Sequence, residues 1–286
     1  MDPKLFALLV AFSFGLNPVV LKLGFLRKGR VDVAVMIGLV VAIPLYLLVV
    51  PLVGGLHWEQ VTLPALIGFI LGGLFGAGIG RRWMYTAIHS IGAAPATAIK
   101  NSAPLITTML AVLFLDEQVG LVQWLAVISI IGGITLVTWK PGGGRRQLLN
   151  VGVLAAVGSA LSYGVRPLFL KFGLDAADLP VTAALVGAIA ALLYAALLAR
   201  PRDLRAEPTE RSALGLFVAA GVLQAIGFLA LTFGLAGGDV SVVYPVTSSA
   251  PVFTLAFTRI MLRGSEELTW RIALGVIAVT AGVIFL

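Results

Sequence analysis

The sequence contains no cysteine, which excludes disulfides, thiolate metal sites and cysteine nucleophiles. Charge is nearly as scarce: 12% of the 286 residues are Asp, Glu, Lys or Arg, about half the share found in an ordinary soluble domain. Histidine occurs only as His57, in a loop, and His89, near a helix end. There is no HExxH, no GxSxG and no pair of aspartates inside an apolar run, so no base stands beside a nucleophile and catalysis has no site. Acid is absent from the middle of every apolar run: Asp116, Glu117, Asp239, Glu266 and Glu267 all fall at run ends. A carrier that trades protons for lipophilic cations needs a buried carboxylate, and this chain does not supply one. No metal or cofactor is expected.

What the sequence does have is apolar length. Hydrophobic residues make up 59% of it, divided into runs of about 20 residues, the length that crosses a bilayer as a helix. That describes an all-α polytopic membrane protein. The net charge of +7 could suggest nucleic acid, but the Lys and Arg lie in short loops beside apolar runs and no soluble basic face exists. They read as an orientation signal, and nucleic acid is not an expected partner. Asp2-Pro3-Lys4 leads into a run that continues as the first span, so no cleavable signal peptide is expected.

The chain repeats itself. FGLNPVVLKLG at 14–24 returns as YGVRPLFLKFG at 163–173, a spacing of 149. Gly15, Pro18, Leu21, Lys22 and Gly24 recur unchanged as Gly164, Pro167, Leu170, Lys171 and Gly173, while Asn17 is exchanged for Arg166. SAP at 102–104 recurs at 249–251, DEQ at 116–118 is answered by EEL at 266–268, and Gly133 by Gly282. Hydropathy and punctuation predict ten spans: 5–24, 32–53, 63–88, 94–115, 119–139, 149–171, 180–199, 213–236, 240–262 and 268–286. The first repeat is read as 1–139, a linker as 140–149 and the second repeat as 150–286. Five spans per half is an odd number, so the second half enters the membrane from the other side. The halves are then inverted about an axis in the membrane plane, a plan that puts a binding site at the midplane between them.

These features together resemble the drug/metabolite transporter superfamily, in its ten-helix EamA-like family. The likeness rests on the Gly-Pro-Lys-Gly first helix of each half and on the Ala/Ser-rich fourth helix with its proline (Pro104, Pro251). The acidic residue after that helix (Glu117, and Glu266 or Glu267) and the small-residue ending of the fifth also fit. The resemblance covers essentially the whole chain. It implies export or exchange of small metabolites without ATP hydrolysis, and a central cavity lined by the first, third and fourth helices of each half. It leaves the substrate open.

Within the spans, four prolines stand out: Pro18, Pro104, Pro167 and Pro251. Each removes the N–H that the carbonyl four residues earlier would use, and in lipid that carbonyl needs another partner or a wet cavity. Polar residues gather in the same turns: Asn17 and Tyr163; Lys100, Asn101 and Ser102; Tyr244, Thr247 and Ser248. Four such prolines in matching pairs point to a cavity wall rather than to isolated kinks. Arg166 lies deep in the sixth span, where a cation is costly and faces a bundle interior or water unless it snorkels to an interface. Arg81 and Arg82 are embedded if the third span runs on to 88. Adjacent residues diverge by about 100° on a helix, so one of the two can face a cavity. Lys22 and Lys171 sit at helix ends and read as snorkelling anchors. Gly68, Gly72, Gly76 and Gly80 form a stripe for close helix packing rather than a nucleotide loop.

Embedded cations without embedded acids favour an anionic or zwitterionic substrate. The expected function is secondary transport of such a molecule by alternating access, from the cell membrane, as a monomer or homodimer with allowance for a coupling ion or counter-substrate. A lipid flippase, a non-transporting membrane subunit or a lipophilic-drug exporter are the alternatives. Loops after odd-numbered spans carry Arg27, Lys28, Arg30, Lys140, Arg145, Arg146, Arg200, Arg202, Arg205, Arg211 and Arg263. By the positive-inside rule these loops are cytoplasmic and both termini are outside, whereas the family resemblance implies cytoplasmic termini.

Overall fold

The computed structural model describes residues 3–103, 105–106, 120–138, 150–198, 209–237, 247 and 249–285. Among them there is no strand. In chain order the helices are α1 (Pro3–Leu26), α2 (Val31–Val49), α3 (Leu63–Gly73), α4 (Arg81–Ile91), α5 (Ala93–Lys100), α6 (Leu121–Thr138), α7 (Val151–Ala176), α8 (Pro180–Leu198), α9 (Arg211–Gly237), α10 (Ala250–Met261) and α11 (Trp270–Phe285). A π-helical segment, Leu74–Gly80, joins α3 to α4 without a break, so the third span runs from Leu63 to Ile91. Among the described residues, six stretches are long and apolar enough to cross a membrane, and Trp124–Thr138, Ala250–Met261 and Trp270–Phe285 are shorter apolar helices. Large apolar side chains such as Leu48, Leu121, Leu193 and Leu197 stand exposed around the outside, as a lipid-facing surface allows and water would not.

Spans four and nine differ from the continuous helices expected at 94–115 and 240–262. α5 ends at Lys100, and Asn101-Ser102 form a turn in which Leu105 N donates to Ser102 O at 2.9 Å. α10 starts only at Ala250, and Val252 N donates to Ser249 O, again at 2.9 Å. The two breaks fall at equivalent places in the repeat, on the same Ser-Ala-Pro. The serine hydroxyl competes for backbone at the break: Ser102 Oγ donates to Ile99 O at 2.6 Å. Pro251 sits in the first turn of α10, where its missing N–H costs nothing. Pro104, residues 107–119, Tyr244 and Ser248 lie outside the described residues.

Packing exchanges between the halves. α1 lies against α9, and its repeat mate α7 lies against α3; α1 also meets α10, as α7 meets α5. The exchange holds residue by residue. Gly24 admits the ring of Phe217, and Gly173 admits the ring of Phe69; both rings are fully buried. A side chain on Gly15 would strike Ala250 O and Phe253, and one on Gly164 would strike Ala103 O and Ile106. Mates also touch directly: α2 with α8, and α6 with α11. In the latter pair, Cβ atoms on Gly133 and Gly275 would stand 2.7 and 2.6 Å from each other's carbonyl oxygens. Ser129 Oγ bridges the same pair, donating to Ala278 O at 2.8 Å.

Candidate functional site

The glycine stripe of the third span builds one wall of a cavity. Side chains on Gly68 and Gly72 would meet Gly173 and Leu170 of α7, so the two helices run antiparallel at backbone distance. Gly73 lies equally close to Gly187 of α8. Farther along, at Gly76, the space that a side chain would fill holds the arm of Arg166, with Nε 2.6 Å from the ideal Cβ position. The cavity opens there. Part of its lining is small: Gly72, Gly73, Gly76 and Ala77 of the third span, and Ala183, Ala184, Gly187 and Ala188 of α8. The rest is larger, with the polar Tyr46, Arg81, Tyr163, Arg166 and Gln224 beside Phe228.

The π segment decides which arginine enters. Its i→i+5 bonding lays residues five apart nearly over one another, so Arg81 follows Gly76 onto the cavity face. Arg81 is 5% exposed, and no acceptor reaches its buried Nε or Nη1 among the described residues. Tyr85 Oη, likewise buried and unpartnered, is 3.6 Å from the point where a Gly38 side chain would begin, as is Arg81 Nη1. Arg82 turns away and pairs with Asp32 in the first turn of α2, Nη1 to Oδ1 2.6 Å. Carbonyls along the π segment are taken by α7: Ser162 Oγ donates to Phe75 O at 2.9 Å and Ser159 Oγ to Gly80 O at 3.2 Å.

Arg166 lies over the ring of Phe228 at 4.6 Å, and Lys100 Nζ lies over the ring of Tyr163 at 5.0 Å. The cavity thus brings together Arg81, Arg166 and Tyr163, with Lys100 behind Tyr163 and not in the lining itself. Asn17 is elsewhere, buried, donating Nδ2 to Ala220 O at 2.6 Å. Asn101 caps α5, and Ser102 bonds back to its own helix. Thr247 is half-buried outside the lining. Pro18 and Pro167 lie inside α1 and α7. In the turn opened by Pro18 the carbonyl of Gly15 accepts from Thr254 Oγ1 at 3.0 Å.

Sequence reasoning missed Tyr46, Gln224 and Phe228. Gln224 had a signal, as a lone amide in the apolar eighth span; the two aromatic residues look like any others in a lipid-facing helix. It also misread one end of the bundle. Lys22 does more than reach an interface, since its Nζ donates to His89 O at 3.0 Å. Beside it, Glu266 accepts from Ala93 N at 2.7 Å, capping α5, and its carboxylate fills the space left by Gly92, whose φ is +97°. Burial pushes the Glu266 carboxyl above the ordinary carboxylate range, against the opposing pull of the Ala93 N–H and the Lys22 ammonium.

Among known proteins, the EamA-like transporter family model matches the chain twice, over residues 3–139 and 150–286. No curated protein matches it. A crystal structure described only as that of a protein superposes with a TM-score of 0.61 at 20% identity, over 98% of this chain and 96% of that one. At that identity the likeness concerns the fold alone.

Proposed function

The chain belongs to the EamA-like transporter family, and we propose that it is a secondary transporter, exporting or exchanging a small polar metabolite, anionic or zwitterionic, by alternating access. The observation that carries this reading is the cavity between α3, α7 and α8, which presents Arg81 and Arg166 and, among the described residues, no acid in its lining. Embedded cations that face a cavity mark a substrate path. In the same reading the chain has ten spans in two inverted repeats, 1–139 and 150–286, around the linker 140–149. The exchanged contacts of α1 with α9 and α7 with α3 support that plan, and the broken fourth and ninth spans are of the kind that line transporter sites. The protein is read as a multi-pass protein of the plasma membrane, without enzymatic activity, cofactor or metal, working as a monomer or homodimer, with a coupling ion or counter-substrate left open.

Counterflow in proteoliposomes against a mixed metabolite panel tests the function. Uptake of an organic anion or zwitterion is expected; transport of lipophilic cations alone, or scrambling of lipid alone, overturns it. Orientation is tested on the cysteine-free background. Gly55→Cys is expected to react with an impermeant maleimide from outside and Gly143→Cys is not, and the reverse pattern would put both termini in the cytoplasm.

A further inference from the structure

The two arginines of the cavity lining are held differently. The Arg166 guanidinium rests on the ring of Phe228, 4.6 Å from its centroid. Arg81 is 5% exposed, yet its Nε and Nη1 meet no acceptor among the described residues. One helical turn on, Tyr85 is 2% exposed, and its Oη is likewise unpartnered there. Residues four apart on a helix share a face, so these polar atoms leave α4 on one side. Burying polar groups unpaired is costly, most of all for a charged one, and a cluster of them calls for a reason.

What they face is a missing side chain in α2. A Cβ on Gly38 would stand 3.6 Å from Arg81 Nη1 and 3.6 Å from Tyr85 Oη, with no other neighbouring helix atom within 4 Å among the described residues. α9 crosses α2 at the same point, where a side chain on Gly221 would stand 3.1 Å from Gly38 Cα. The one acid of α2, Asp32, is taken by Arg82 at 2.6 Å. Arg81 itself belongs to the cavity lining, so the space beside Gly38 adjoins the cavity. A guanidinium donates and cannot accept, and a phenol next to it has its own proton to give. N–H and O–H groups gathered at one glycine make a receptor for negative charge.

We infer that the space beside Gly38 binds one anionic group, held by the Arg81 guanidinium and the Tyr85 hydroxyl. The group is either the acidic end of the transported molecule, which rests on the transporter reading above, or a small inorganic anion bound beside it. A carboxylate, a phosphate and chloride share the required chemistry. The lining leaves the rest of an organic ligand open, since the rings of Tyr46, Phe69, Tyr163 and Phe228 suit a cationic or an apolar remainder.

The test uses the full chain, in detergent for thermal unfolding and in proteoliposomes for counterflow. Acetate, inorganic phosphate and chloride are titrated at constant ionic strength, and at least one is expected to raise the melting temperature saturably. A response to acetate or phosphate assigns the site to the acidic end of an organic ligand; a response to chloride alone assigns it to an inorganic ion. Tyr85→Phe removes only a hydroxyl that has no protein partner among the described residues. The unliganded variant is expected to be at least as stable as native, with the apparent anion affinity lowered about tenfold. Gly38→Ala adds a methyl at ordinary contact distance, 3.6 Å from both groups, and is expected to fold and to abolish the anion-induced shift. Stabilisation by none of the three anions, or by the same amount in both variants as in the native chain, overturns the inference. Counterflow keeps this apart from the transporter reading. Exchange of an organic acid that both variants leave untouched, with no anion shift to lose, removes the site and keeps the transporter. An anion shift that both variants lose, in a chain that moves no organic acid, keeps the site and removes the transporter reading.

Discussion

Two grooves in this molecule are built to one plan and finished differently. The groove between α3 and α7 holds Arg81, Arg166 and the glycines that make room for them. Its mate lies between α9 and α1, where a spacing of 148 to 149 sets Leu229 in place of Arg81, Asn17 in place of Arg166 and Gln224 in place of Gly76. There Asn17 is closed in, 4% exposed and bonded to Ala220 O. Duplication supplies the frame, with Phe69 and Phe217 equally buried in the two copies. The grooves differ in a few side chains: Arg81, Arg166 and Gly76 on one side, Leu229, Asn17 and Gln224 on the other, with Gln224 also reaching the lining of the Arg166 cavity.

The harshest way to break that comparison is Asn17→Arg, which puts a guanidinium into the closed groove. No glycine seat receives it, and a buried charge without a partner costs about 3–5 kcal/mol. The expected result is loss of monodisperse protein in size-exclusion chromatography. The reverse change, Arg166→Asn, makes the two grooves alike at this position and removes an embedded charge. Folding is expected to be at least as good as native, by thermal unfolding. Counterflow of an anionic substrate is expected to fall by about tenfold or more, the equivalent of roughly 1.4 kcal/mol in the barrier. Native exchange by this variant would make Arg166 a snorkelling anchor.

The smallest effect concerns pH, at the end of the bundle where α1 and the Glu266 loop meet. Because the folded protein holds the Glu266 proton more tightly than the unfolded chain, this group's contribution to stability is complete below the ordinary carboxylate range. It is lost as pH rises through the raised value. The melting temperature is expected to decline slightly across that window. Glu266→Gln, which still offers an acceptor to Ala93 N, is expected to flatten the decline; an unchanged slope would assign it to other groups.

Much of the frame was readable because its signals are local or periodic. Apolar length marks the spans, and the repeat at 149 makes α7 the mate of α1. The breaks at Asn101-Ser102 and Ser249 were signalled by Ser-Ala-Pro, yet hydropathy averages over a turn and read straight through them. The choice of Arg81 over Arg82 depended on a change of helical phase, which Gly76, Gly78 and Gly80 permit but do not dictate. Tyr46 and Phe228 became cavity residues because of which helices cross between halves, and no pattern within α2 or α9 records that.

The α6–α11 crossing is a place where two helices meet backbone to backbone. Where side chains separate two helices, a small displacement is absorbed by rotamer changes. At Gly133 and Gly275 the neighbours are carbonyl oxygens, and a peptide backbone has no rotamer to change. The joint has no play, and Ser129 fastens it to Ala278. Sliding across it would first require the two backbones to separate, so the joint holds α6 and α11 together as one strut.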